Sequence, residues 1–378
     1  MIYGELGESR TKRTVTGMAR VLRALHLDGM LLSALVAVSM FGLFVLWSAA
    51  GDNASLWFSQ VARVGIGFAL LAMLSLVPDR FLRMLSPAAY LLGLVLLVIV
   101  ALAGDIGKGA QRWLDLGVVR FQPSEIMKLA VPMMCAWYLH QRPLPPSLRD
   151  VGIVLLIVLL PVGLIAEQPD LGTALLVAAS GFIVLVMGGL SPFYIVGGVA
   201  VIGAAVPVAW HYMHDYQRQR VLTLLDPQSD ALGAGYHIIQ SQIAIGSGGV
   251  FGKGWMNGSQ AQLEFLPERS TDFIFAVIGE ELGLLGLIAL VAGYLFIVGR
   301  GMTMAMQCRD AFSRLLAGSI ALTFFVYAFV NAGMVMGLLP VVGVPLPLVS
   351  YGGTSFVTLM AGFGILMSIH SRRKLVSR

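Results

Sequence analysis

Asp272 stands in the run Pro267-Glu268-Arg269-Ser270-Thr271-Asp272-Phe273, where a polar stretch gives way to an apolar one. A carboxylate at such an edge is expensive to keep near lipid and suited to taking a proton from a hydroxyl. The plain structural alternative is an acid in a helix's first turn, stabilised by the helix dipole. At about 100° per residue, Gly279, Gly283 and Gly286 fall within about 40° of the Asp272 face, so a continuous helix could pack closely there and hold the carboxylate rigidly. Glu280 and Glu281 lie deeper in the same run and need partners, for which arginines of the neighbouring loop or spans are the expectation.

A second cluster opens at Gln122-Pro123-Ser124-Glu125-Ile126-Met127-Lys128. Pro123 suits the first position of a helix, Gln122 can cap it, and Glu125 then lies in the favoured first turn. Glu125 and Lys128 are three residues apart, so they can neutralise each other as an ion pair. Arg112 and Arg120 come just before them, and planar guanidinium groups at a membrane face suit a diphosphate. Arg218 and Arg220 form a third group, fitted either to a diphosphate or to anchoring at an anionic interface. Other motifs are excluded: in Gly248–Gly254 the first glycine of a phosphate loop would fall on Ser247, and Gly254 replaces its magnesium-binding hydroxyl. His211, His214 and Asp215 suit a helix end at an interface better than a metal. Cys135 and Cys308 read as free thiols.

The elements that must position these groups are membrane helices. Of 378 residues 57% are hydrophobic and 12% charged, with mean hydropathy +0.84, whereas soluble domains carry roughly 25% charged residues. Lipid is therefore the solvent for much of the chain. The net charge of +5 is spread between apolar runs and is no nucleic-acid signal. Ten runs can cross a bilayer, near 29–49, 57–77, 86–104, 123–140, 149–167, 171–189, 192–211, 273–298, 312–336 and 352–370. Each should be a helix, because open sheet edges cannot sit in hydrocarbon. Arg80 and Arg83, Arg142 and Arg149, Arg300 and Arg309, and Arg372 with Arg373 and Lys374 all follow even-numbered runs, which places both termini in the cytoplasm. Residues 1–28 form a basic N-terminal segment (Arg10, Lys12, Arg13, Arg20, Arg23) ahead of an uncleaved anchor helix. Residues 29–372 form one transmembrane domain, and 373–378 a short tail. Residues 212–271 form an outer loop whose Tyr236, Trp255 and Phe265 argue for order.

The strings RWLDLGVVRFQPSEIMK (112–128), QPDLGT (168–173), HDYQRQR (214–220), LLDPQSDALGAGYHIIQSQIAIGSGGVFGKGW (224–255), QLEFLPERSTDFIFAVIGEELGLLG (262–286) and LPVVGVPLPLVSYGG (339–353) resemble the SEDS family (shape, elongation, division and sporulation) in order from about residue 25 to 372. The wording of DYQRQR and DPQSD is nearer its elongation branch than its division branch. The resemblance implies an all-α polytopic protein of ten transmembrane helices with a large extracytoplasmic loop between the seventh and eighth. It implies a peptidoglycan glycosyltransferase that polymerises lipid II, with Asp272 essential and Glu125 and Lys128 a functional pair. The matched motifs also place Glu268, Ser350 and Tyr351 among the substrate-binding candidates, with Arg112, Arg218 and Arg220 as carriers of diphosphate charge. Magnesium or manganese is left open as a further carrier. Implied partners are a class B penicillin-binding protein, other elongation-complex membrane proteins and the undecaprenyl-linked glycan chain. Two rivals remain: a flippase moving the lipid-linked precursor, and a scaffold for the crosslinking partner. A transporter should concentrate polar groups at the midplane, whereas these cluster at one face.

Overall fold

A computed structural model of the chain describes residues 24–51, 53–107, 110–115, 120–213, 215–230, 233–263, 265–266 and 268–372. The basic segment before residue 24, the tail 373–378 and His214 lie outside the described residues. The helices are α1 (Gly29–Ala50), α2 (Ala54–Ser75), α3 (Asp79–Ala103), α4 (Pro123–Leu139), α5 (Leu148–Glu167), α6 (Leu171–Met187), α7 (Pro192–Tyr212), α8 (Asp215–Leu225), α9 (Ala234–Gly248), α10 (Ser259–Gln262), α11 (Ile274–Glu281), α12 (Gly283–Met306), α13 (Ala311–Val335) and α14 (Gly353–Arg372). The apolar runs expected from the sequence are helical, but the run 273–298 is divided between two helices, α11 and α12. Seven of them, α1, α2, α3, α5, α12, α13 and α14, are long and apolar enough to cross a membrane. A three-stranded antiparallel sheet, β1 (Asp105–Gly107), β2 (Ala110–Asp115) and β3 (Arg120–Phe121), sits between α3 and α4.

Side-chain caps set the helix starts. Asp28 accepts from Leu31 N at 2.9 Å, Asn53 from Leu56 N at 3.2 Å and Asp170 from Thr173 N at 3.3 Å. Ser147 and Asp150 form a reciprocal capping box on α5, and Pro123 is the first residue of α4. Each cap satisfies amide groups that hydrocarbon would leave stranded.

Helix α13 is the axis of the bundle: Phe312, Leu315, Leu316, Phe324 and Met334 are almost wholly buried within it. Helix α14 runs parallel to α2, with Phe356 and Met360 against Gly67 and Leu71 against Gly364, and the Ser368 hydroxyl donates to the Val77 carbonyl. The close approach at Gly67 and Gly364 is the small-residue packing that membrane helices use in place of a hydrophobic drive.

Two departures from a plain bundle matter for function. The run 273–298 is not one helix. It breaks at Leu282, and Gly283 adopts φ +64°. The shared face of Asp272 with Gly283 and Gly286 therefore does not exist, and Asp272 is held by other means. The groups freed at the break pair with residues 249–254: Lys253 N donates to Glu280 O at 2.9 Å, Gly254 N to Glu281 O at 3.0 Å, and Leu284 N to Gly249 O at 3.0 Å. A Cβ on Gly252 would lie 2.1 Å from Glu281 O, and one on Gly283 2.3 Å from Gly252 N. The glycines of 248–254, which are no phosphate loop, lock a long segment onto a broken span. Glu280, fully buried, is bound by Lys253 at 2.8 Å and by Ser259 and the amides of Gln260 and Ala261. Glu281 accepts from Ser48 at 2.6 Å. The expected arginine partners are thus replaced by a lysine, hydroxyls and amides.

The second departure is the segment 337–352. It leaves the end of α13 without helix and returns only where α14 begins at Gly353, opposite Arg63 of α2. Arg63 lies nine residues after Ala54, about 13 Å down the axis. Non-helical backbone at that depth requires protein around it, and Val344, Leu346, Leu348, Val349 and Ser350 are buried.

Candidate functional site

Asp272 sits in the turn before α11, half-buried, and three contacts fix its backbone to the 337–352 segment. Asn331 of α13 donates through Nδ2 to the Asp272 carbonyl at 2.8 Å and to the Val344 carbonyl at 2.7 Å. Ser350 accepts from Leu346 N at 2.8 Å while its hydroxyl donates to the Thr271 carbonyl. Tyr351 N donates to Ser270 O at 2.8 Å. Gln60 of α2 reaches the Ser350 carbonyl at 3.3 Å. Gly343, at φ +72°, leaves space beside the carboxylate, where a Cβ would stand 3.6 Å from Asp272 Oδ2. Glu268 takes φ +53° and accepts from the Thr271 hydroxyl at 2.8 Å, closing the turn. Arg269 donates to Ala49 O at 3.0 Å and to Ala261 O, tying that turn to α1 and α10. His237 of α9 stacks on Phe273 with ring centroids 5.5 Å apart, so the long segment covers the site.

Lys128 Nζ lies 2.7 Å from Glu125 Oε1, and both residues are buried at 7% and 5% exposure. A buried pair persists only with good geometry and further polar partners. Lys128 also sits 5.0 Å over the Tyr327 ring, while Glu125 Oε2 is buried without a hydrogen-bond partner. Tyr327 and Asn331 are four apart on α13, one above the other on one face. One helix turn thus connects the Glu125–Lys128 pair to the group that holds Asp272. Gln122 donates to Asp170 Oδ2 at 2.8 Å, and a Cβ on Gly172 would touch Val342 O at 2.7 Å, so α4 and α6 join the same cluster. Below Lys128 a groove runs between α4, α13 and α14, lined by Leu129, Pro132, Phe324, Leu359 and Phe363.

The remaining expected residues divide. Arg112 lies on β2 beside the start of α4, and its side chain is outside the described residues. Arg218 donates to the carbonyls of Trp210 at 2.9 Å and His211 at 2.7 Å, which makes it a cap for the end of α7. Arg220 is two residues on along α8, about 200° around the axis, so the two arginines do not form one clamp. Among the described residues no three His, Cys, Asp or Glu side chains converge to hold a metal ion. Cys135 and Cys308 are buried free thiols.

Asn331, Tyr327 and Arg63 were not singled out from the sequence. An amide and a guanidinium inside apolar runs were the available signal.

Fold and site together define a polytopic membrane protein with a carboxylate fixed at one end of the bundle, above a buried ion pair and an apolar groove. The chain belongs to the SEDS family of FtsW, RodA and SpoVE proteins: the family model, described as cell cycle protein, matches residues 24–375. It is 52% identical over 354 residues to peptidoglycan glycosyltransferase MrdB of Escherichia coli K12, covering 93% of this chain and 96% of that protein. It is similar to a chain of a peptidoglycan synthase complex solved for the coordination of polymerization and crosslinking, with TM-score 0.81 and 34% identity over 92% of this chain and 98% of that one. It is also similar to the rod shape determining protein RodA of Thermus thermophilus, with TM-score 0.70 and 30% identity over 92% of this chain and 97% of that one.

Proposed function

We propose that the chain is a peptidoglycan glycosyltransferase that polymerises glycan strands from lipid II, releasing undecaprenyl diphosphate, for cell elongation and rod shape. The observation that carries this reading is the Asp272 carboxylate, with its backbone gripped by Asn331 and open space beside it at Gly343. The protein crosses the bacterial inner membrane ten times with both termini in the cytoplasm, and the Asp272 end faces the periplasm. Its partner is a class B penicillin-binding protein that crosslinks the strands.

The acceptor is the C4 hydroxyl of the N-acetylglucosamine of lipid II, a poor nucleophile at neutral pH. Asp272 takes its proton as general base, a role worth typically about 10²–10⁴-fold. The oxygen attacks the anomeric carbon of the growing chain, the bond from that carbon to the undecaprenyl diphosphate breaks, and the diphosphate leaves with the electron pair. One carboxylate suffices for this inverting displacement, because a diphosphate needs little protonation to leave. Lys128 supplies positive charge, oriented by Glu125, with Arg112 and Arg220 as further carriers. Glu268, Ser350 and Tyr351 shape the turn around the acceptor. The groove below Lys128 matches a polyprenyl chain in polarity.

Lipid II given to the purified protein with its crosslinking partner should yield long glycan chains on a denaturing gel. Failure to polymerise, combined with lipid II translocation in liposomes, would replace this reading with the flippase.

A further inference from the structure

Arg63 is a cation inside a membrane span that has no counter-ion among the described residues. Lys128 and Arg300, two other cations in spans, each hold a carboxylate, at 2.7 Å and 2.6 Å. Among the described residues no carboxylate pairs with Arg63, and its Nη1 is buried without a hydrogen-bond partner. Its guanidinium stacks on the Tyr351 ring at 4.4 Å, and its Nε faces the first residue of α14, Gly353. Stacking fixes the plane of the fork but supplies no compensating charge. The start of a 20-residue helix adds partial positive charge to the same place. Two positive groups brought together about 13 Å below the end of α2 repel each other unless an anion joins them.

The route to this place is through lipid. On the flank of α2 beside Arg63, Ser59, Ala62 and Ile66 are exposed. A water-borne anion would have to leave its hydration to enter there, whereas an anion attached to an apolar tail arrives with the tail already in hydrocarbon. Tyr351 donates its amide to Ser270, two residues before Asp272, so an anion held at Arg63 is coupled to the turn that carries the proposed base.

The geometry points to Arg63, with Tyr351 and the start of α14, as a subsite for a lipid-borne phosphate. The ligand class is a phosphate ester on a long-chain lipid. Its assignment to the polyprenyl phosphate of the substrate rests on the function proposed above; the site itself does not. Arg63 is thereby a substrate-binding residue that none of the sequence motifs contains.

The test is binding of undecaprenyl phosphate to the full-length protein in detergent, measured by native mass spectrometry, with undecaprenol as the phosphate-free probe. Arg63→Gln should weaken undecaprenyl phosphate by about tenfold or more, the size of a lost charge-assisted contact, and leave undecaprenol unchanged. Arg63→Lys, which keeps the charge and loses the fork, should fall between them, and it carries the test if Arg63→Gln does not fold. Equal binding of undecaprenyl phosphate by wild type and both variants would overturn the proposal, as would an equal loss of undecaprenol. Competition with phosphatidylglycerol separates the sources: displacement at matched concentration assigns the site to anionic headgroups in general, and resistance to it assigns the site to the substrate. An Arg63 effect that persists in a protein found unable to polymerise would keep this site and remove the functional reading.

Discussion

Asn331→Leu separates what holds the fold from what holds the base. Asn331 is fully buried and donates to two carbonyls, Asp272 O and Val344 O, while its own Oδ1 has no hydrogen-bond partner. Replacing the amide with an apolar side chain of similar size removes two hydrogen bonds, at about 1 kcal/mol each. It also removes one stranded buried acceptor, whose burial costs about 1–3 kcal/mol. These effects oppose, but the buried Val344 carbonyl is left without its donor at a further cost of about 1–3 kcal/mol, so stability should fall by about 1–3 kcal/mol. The catalytic effect has no such offset. Asp272 loses its link to α13, and a shift of about 1 Å in a reacting group costs roughly 10²-fold. The expected result is a melting temperature modestly below wild type in detergent with polymerisation from lipid II reduced about a hundredfold. Unchanged polymerisation in a folded Asn331→Leu protein would refute the claim that this amide positions the base. A large loss of stability would show instead that the amide is chiefly structural.

Four further outcomes follow from the same contacts. Lys128→Met alone should destabilise the protein by about 3–5 kcal/mol, because it leaves Glu125 charged and buried, whereas Glu125→Gln with Lys128→Met should recover most of the melting temperature but little of the activity. Lys253→Met should likewise cost about 3–5 kcal/mol by stranding the fully buried Glu280, seen as a lower unfolding temperature. Gly283→Ala should sharply reduce folded yield on gel filtration, since it combines φ +64° with a Cβ 2.3 Å from Gly252 N, while Gly299→Ala, where nothing lies within 4 Å, should not. Burial raises the Asp28 carboxyl, but the Arg300 guanidinium at 2.6 Å and the Leu31 amide outweigh it and hold Asp28 below the ordinary value of 3.8. Its contribution to stability is therefore complete above that value and lost as pH falls through the depressed one. Asp28→Asn, which can still cap α1, should flatten the fall in melting temperature between pH 5 and pH 3, each taken as roughly bracketing the ordinary carboxylate range.

Apolar runs were legible because lipid leaves the backbone no alternative to helix, whereas Gln122, expected to cap α4, instead donates to Asp170. The Glu125–Lys128 contact follows from three-residue spacing on one helix, and Pro123 at its first position from the ring's fixed φ. What stayed hidden depends on long-range backbone pairing. The break at Leu282–Gly283 is stabilised by hydrogen bonds to residues 249–254, about thirty positions away, and no local periodicity announces it. The descent of 337–352 into the bundle looks like an ordinary polar-poor loop, since its burial comes from α2, α6 and α13 around it. Arg63 and Asn331 were visible as polar residues in apolar runs. Their roles were not, because each is defined by a partner, Tyr351 or Asp272, that only the fold brings near. The spacing of Arg218 and Arg220 suggested a pair until α8 set them on opposite faces.

The most direct test compares glycan synthesis from purified lipid II by wild type, Asp272→Asn and Asp272→Ala, each with its crosslinking partner and each shown to be folded by gel filtration and melting temperature. Long glycan chains from wild type alone, with both variants reduced by at least about a hundredfold, are the predicted result. Chains of comparable length and rate from Asp272→Ala would contradict the assignment of this carboxylate as the base.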